Sequence, residues 1–171
     1  GLLLFSDQPE LFVAPRKGST HCLRLIREIL YCLPKGRGTD VSVALDRLTR
    51  HLPRRCLVLV ISDFIAPGFE RSLKVAAVRH DVVAVQITDA AEETLPDVGW
   101  MRLEDPETGE LMQINTSRRR VREAYHERRA AWQTALDQTF KTAGVDKIDL
   151  HTGSNYVPAL HAFFKRRASR R

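Results

Sequence analysis

Four aspartates and one threonine stand where chemistry could be done. Asp7, Asp63 and Asp89 each follow a short apolar run, and Thr39 and Asp40 close the turn Lys35-Gly36-Arg37-Gly38. In an open parallel sheet, ligands bind beyond the carboxyl ends of the strands, so residues at those ends are the candidates. Carboxylates converging at one edge repel each other unless a cation sits among them, and oxygen-only donors of this kind suit Mg²⁺ or Mn²⁺. The commoner role of an Asp after a strand is to cap the next helix or open a turn, and Asp7 and Asp89 are expected to do that. A metal-dependent nuclease using Asp7, Asp40, Asp63 and Asp89 is the enzymatic alternative, since two-metal phosphodiester hydrolysis needs such a cluster.

Other chemistries lack their residues. Gly36-Arg37-Gly38 has neither the preceding strand nor the third glycine of a dinucleotide fingerprint, and no P-loop occurs. His21, His51, His80, His126, His151 and His161 lack metal-ligand spacing, and no serine occupies a nucleophile elbow. Cys22, Cys32 and Cys56 form an odd, scattered set without zinc spacing. They are expected to be buried as small apolar residues in a reducing, cytoplasmic compartment.

The elements that must position the candidates alternate between continuous apolar runs and helical periodicity, the pattern of a parallel sheet with helices on both faces. Strands are expected over residues 2–5, 11–14, 56–61, 81–87 and 147–150, the first two as a hairpin. A second hairpin is expected from residues 100–103 and 111–114, turning at Asp105-Pro106-Glu107-Thr108-Gly109. A helix over residues 20–33 has Cys22, Ile26, Ile29, Leu30 and Leu33 on one face, and the next, opened by Thr39 or Asp40, has Val41, Ala44, Leu45, Leu48 and Leu52. After Pro67-Gly68 a helix buries Phe69, Leu73 and Ala76. The longest, residues 117–143, carries Val121, Tyr125, Trp132, Leu136 and Phe140, with Gly144 as its left-handed stop. A last helix from Tyr156, capped by Ser154 or Asn155, turns Leu160, Phe163 and Phe164 inward.

At 171 residues, 43% hydrophobic and 28% charged, the chain has the size and composition of one globular domain. No apolar run approaches the roughly 20 residues of a membrane span, and the run Leu2-Leu3-Leu4-Phe5, with no basic region before it, does not have the form of a signal peptide, so any targeting segment is expected upstream of this sequence. The net charge of +6 is concentrated in Arg118-Arg119-Arg120, Arg122, Arg128, Arg129, Lys165-Arg166-Arg167 and Arg170-Arg171. Without aromatic interleaving or a helix-turn-helix pattern, these read as solvated helix faces and argue against a nucleic-acid partner.

Taken in order, several segments resemble one bacterial family. They are Gly1-Leu2-Leu3-Leu4-Phe5-Ser6-Asp7, Pro15-Arg16-Lys17-Gly18, Pro34-Lys35-Gly36-Arg37-Gly38-Thr39-Asp40, Ser62-Asp63-Phe64, Arg79-His80-Asp81-Val82, Leu95-Pro96-Asp97-Val98-Gly99, Asp105-Pro106-Glu107-Thr108-Gly109 and Ala143-Gly144-Val145-Asp146. The whole chain is similar to domain of unknown function 58, a von Willebrand factor type A-like family associated with MoxR ATPases. The resemblance implies a Rossmann-like α/β domain over residues 1–171, lacking the first central strand. It also implies a metal-ion-dependent adhesion site, in which Mg²⁺ is held by an Asp-x-Ser-x-Ser loop, a threonine matching Thr39 and an aspartate matching Asp63.

No Asp-x-Ser-x-Ser run occurs in this sequence, because Gly1 falls where that family's second strand begins. Thr39 and Asp63 are too few donors to hold Mg²⁺ tightly, so the site is expected to be complete only in an intact parent. Removing a strand leaves a slot about twice the usual 4.8 Å spacing, through which the chain is expected to self-associate. The function the resemblance implies is a non-enzymatic protein-interaction domain. It would be metal-dependent in the parent and work with a MoxR-type AAA+ ATPase, or its client, in bacterial protein maturation or chaperone-like assembly.

Overall fold

The computed structural model describes residues 1–104 and 109–169. The turn expected at residues 105–109, except for Gly109, lies outside the described residues, as do Arg170 and Arg171. The chain forms two compact units, one comprising Gly1–Cys56 with Ile65–His80 and the other Leu57–Phe64 with Asp81–Arg171.

The first unit opens with an antiparallel hairpin, β1 (Leu2–Phe5) and β2 (Pro9–Val13), in which Leu3 faces Phe12 and Leu4 faces Leu11. The register slips between Leu4 and Phe5. Helices α1 (Ser19–Tyr31), α2 (Val41–His51) and α3 (Glu70–Arg79) complete it. Val41, Ala44 and Leu45 of α2 recur at helical spacing and are buried, against α3 and the hairpin, together with Val13, Phe69, Leu73 and Ala76.

The apolar face expected of α1 is not a core face. The helix buries no residue, and Ile26, Ile29 and Leu30 stand exposed, as does Leu33 just beyond it. The half-buried positions are His21, Leu25, Glu28 and, just past its end, Cys32, a different stripe at the same period. Periodicity fixes which residues share a face but not which face receives a neighbour. Cys22 is accordingly exposed, and Cys32 and Cys56 are half-buried, so the expected burial of the cysteines fails outright for Cys22.

The second unit is built on three parallel strands, β3 (Leu57–Ser62), β4 (Asp81–Thr88) and β7 (Asp146–His151), ordered β3-β4-β7. Between β4 and β7 lie a single-turn helix α4 (Ala90–Glu93), the antiparallel hairpin β5 (Trp100–Glu104) and β6 (Leu111–Asn115), and the long helix α5 (Arg119–Ala143). Gly144, at φ 67°, ends α5 in the left-handed conformation expected of it. Helix α6 (Val157–Ala168) packs on β7.

Strand β4 is buried continuously from Val82 to Gln86, the signature of a central parallel strand covered on both faces. Val83, Val85, Ile148 and Phe163 form its core. Phe163 takes the inward place on α6 while Phe164, expected beside it, is exposed. The buried Gln86 amide is satisfied by a reciprocal pair of 3.0 Å hydrogen bonds with Gln133. Strand β3 differs from β4. Val58 and Val60 are buried, but Leu57, Leu59 and Ile61 are 48%, 43% and 60% exposed. The fold is therefore mixed α/β with a parallel three-stranded sheet, and the strands among the described residues form three separate sheets.

Candidate functional site

In the first unit the turn before α2 is tied down at both ends. The Glu10 carboxylate, through Oε1, accepts from Ser6 Oγ at 2.6 Å and from the backbone N–H groups of Gly36 at 2.8 Å and Lys35 at 2.9 Å. These bonds, Ser6 first, hold its pKa below the usual carboxylate value. At the far end, the Asp40 N–H donates to the Ser6 carbonyl at 2.9 Å. Gly36 has no room for a side chain, since a Cβ would stand 1.9 Å from Asp7 Oδ1 and 2.2 Å from Ser6 Oγ.

Half-buried Thr39 sits in this turn. Asp40, and not Thr39, caps α2. Its Oδ1 accepts from the Ser42 N–H at 2.8 Å, from the Val43 N–H at 3.3 Å and from the Ser42 hydroxyl. The Ser42 hydroxyl is the main reason its pKa is depressed. Asp7 is exposed and accepts from Ser6 Oγ at 3.2 Å.

In the second unit Asp63 follows β3 directly. It is exposed, and its Oδ1 accepts from Ser62 Oγ at 3.4 Å. The next residue holds the turn. Phe64 is the one non-glycine residue with positive φ among the described residues, at 62°, and it is 1% exposed. A bulky residue in the left-handed region is a strained outlier, tolerated where surrounding packing over-determines it. That packing is Phe140 of α5, edge-on at a centroid distance of 5.0 Å, and the Phe64 N–H donates to Ser62 Oγ at 3.0 Å. Asp89 caps α4 by accepting from the Ala91 N–H at 2.8 Å, and it accepts from Thr152 Oγ1 at 2.5 Å. Thr152, then Ala91, lowers its pKa.

Asp40 and Asp89 thus carry the capping role that strand-end and turn aspartates commonly have. Asp7 and Asp40 belong to the first unit, Asp63 and Asp89 to the second. Among the described residues no group of three or more His, Cys, Asp or Glu side chains could hold a metal ion. Thr39 and Asp63 offer one hydroxyl and one carboxylate, short of the six oxygens Mg²⁺ takes, so these residues alone do not fit a resident Mg²⁺. Neither Glu10 nor Phe64 was legible as a site residue. A carboxylate in the short break Gln8-Pro9-Glu10 carries no signal of its partner 26 residues away, and phenylalanine has no left-handed preference that spacing could reveal.

A parallel three-stranded sheet combined with helices defines the class as mixed α/β. Residues 1–135 match the family described as "Protein of unknown function DUF58", and the chain belongs to that family. An uncharacterized protein of Mycobacterium avium is 31% identical over 135 residues, which cover 78% of this chain and 79% of that protein. Uncharacterized proteins of Mycobacterium tuberculosis and Mycobacterium bovis are each 30% identical over the whole chain, covering 54% of their own lengths. The chain spans about half the length of those two relatives. No solved structure matches it. No helix among the described residues is long and apolar enough to cross a membrane.

Proposed function

We propose that residues 1–171 belong to a von Willebrand factor type A-like interaction domain that binds a protein partner without catalysing a reaction. The observation that carries this reading is the open face of β3. A parallel ladder is normally covered on both faces, yet Leu57, Leu59 and Ile61 present three large apolar side chains outward from a terminal strand. The outward stripe of α1 adds a second apolar surface. Asp63, at the carboxyl end of β3, supplies the polar contact beside the apolar ones. Metal dependence is assigned to the intact parent, not to Thr39 and Asp63 alone. The partner we assign is a MoxR-type AAA+ ATPase or its client, in bacterial protein maturation or chaperone-like assembly.

The test is capture of the intact parent by a purified, immobilised MoxR-type ATPase, comparing wild type with Leu59→Lys and Asp63→Ala. Burying a lysine in an apolar contact should weaken capture about tenfold or more, one tenfold step being 1.4 kcal/mol. Capture unchanged by both substitutions would overturn the reading.

A further inference from the structure

We infer that Glu10 is a positioning residue, an internal anion that clamps the turn carrying Thr39 to the β1–β2 hairpin. Its bearing on function rests on the proposed partner binding, with Thr39 of this turn taken as a further contact of the partner. Two successive backbone N–H groups, those of Lys35 and Gly36, converge on one oxygen of Glu10 at 2.9 and 2.8 Å. Such convergent amides form an anion-binding nest, and here the anion comes from the chain itself, 25 and 26 residues earlier. The same oxygen takes the Ser6 hydroxyl at 2.6 Å, and the Ser6 carbonyl takes the Asp40 N–H at 2.9 Å. Residues 35 and 40 are therefore both fastened to residues 6–10, and Thr39 lies between the two fastenings. Gly36 lets the clamp close, because any Cβ there would collide with Ser6 and Asp7.

All three bonds go to the same acceptor atom. A glutamine carbonyl oxygen can replace it, whereas alanine offers nothing. The experiment is amide hydrogen exchange by NMR on the whole chain for Glu10→Ala and Glu10→Gln. In Glu10→Ala the Lys35 and Gly36 amides should exchange about ten- to a hundredfold faster, as loss of charge-assisted hydrogen bonds implies. The Leu45 and Leu48 amides of α2 should stay within about twofold, and Glu10→Gln, which keeps an acceptor oxygen but not the charge, should leave Lys35 and Gly36 between wild type and Glu10→Ala. The clamp is refuted by unchanged exchange in Glu10→Ala, by equal acceleration in α2, or by a glutamine variant as loose as the alanine one.

The ATPase capture assay separates this inference from the reading beneath it. Glu10→Ala in the intact parent should weaken capture as Thr39→Ala does, with Glu10→Gln restoring it. If Thr39→Ala leaves capture intact, the turn is not part of the partner edge, and the exchange result still decides the clamp.

Discussion

At most positions glycine is the worse small substitute, and at Phe64 the order should reverse. Phe64→Ala and Phe64→Gly both remove the ring that packs edge-on against Phe140, and each should cost about 3–5 kcal/mol in lost packing and cavity. Their difference isolates the backbone. Glycine ordinarily loses about 0.5–1 kcal/mol to alanine through its greater freedom when unfolded. Holding an L-residue at φ 62° costs roughly 1–2 kcal/mol that glycine escapes. Phe64→Gly should therefore be the more stable variant by about 0.5–1 kcal/mol. Both tryptophans of the chain, Trp100 and Trp132, lie in the same unit as Phe64, so urea unfolding followed by their fluorescence reports on that unit. With a slope of about 2 kcal/mol per M, the two midpoints should differ by about 0.3–0.5 M. A higher midpoint for Phe64→Ala would refute a strained Phe64 and, with it, the account of how the Asp63 turn is held.

Three further outcomes are expected. His80 is buried, its Nδ1 lies 3.6 Å from Cys56 Sγ, and burial, then Arg79 and Arg55, depress its pKa below the ordinary 6.5. Below pH 6.5 the unfolded chain takes up a proton that the folded chain resists, so stability falls as pH drops from 7.5 to 5.5; urea midpoints followed by far-UV circular dichroism, since both tryptophans lie in the other unit, should show His80→Leu flattening that fall, with His21, shifted the same way, keeping the remainder. Arg167 of α6 bridges Asp81 at 2.5 Å and Asp146 at 3.6 Å, at the starts of β4 and β7. Arg167→Ala should cost about 1–2 kcal/mol in the fluorescence-monitored melt, and Arg167→Lys should recover only part, because an ammonium cannot reproduce the fork; full recovery would reduce the contact to simple charge. The open face of β3 should make the chain self-associate as its concentration rises, and Ile61→Lys should shift light scattering back toward the monomer; a wild-type monomer throughout would remove this expectation.

Local chemistry made most elements legible. Continuous apolar runs marked β3 and β4, although the β3 run concealed an alternation of buried and exposed residues, and β7 showed itself by alternating Ile148 and Leu150 with charged residues. Gly144 stopped α5, and Asp89 capped the turn after its strand, because these preferences depend on a few neighbouring residues. The α1 stripe shows where legibility ends: the helix formed and its periodicity held, but the covered face was the one through Leu25 and Glu28. Only the arrangement of other elements could decide that.

The sequence by itself determined most of the helices and strands, though not the single-turn α4, and a mixed α/β chain with a parallel sheet. Tertiary structure alone decided that Glu10 grips the turn before Asp40 and that Phe64 sits left-handed behind Asp63. It also decided that β3 keeps one apolar face open. Propensity and capping are short-range energies readable within a turn or two. A carboxylate meeting an amide 26 residues away, or a ring holding a strained φ, exists only once the chain has closed on itself.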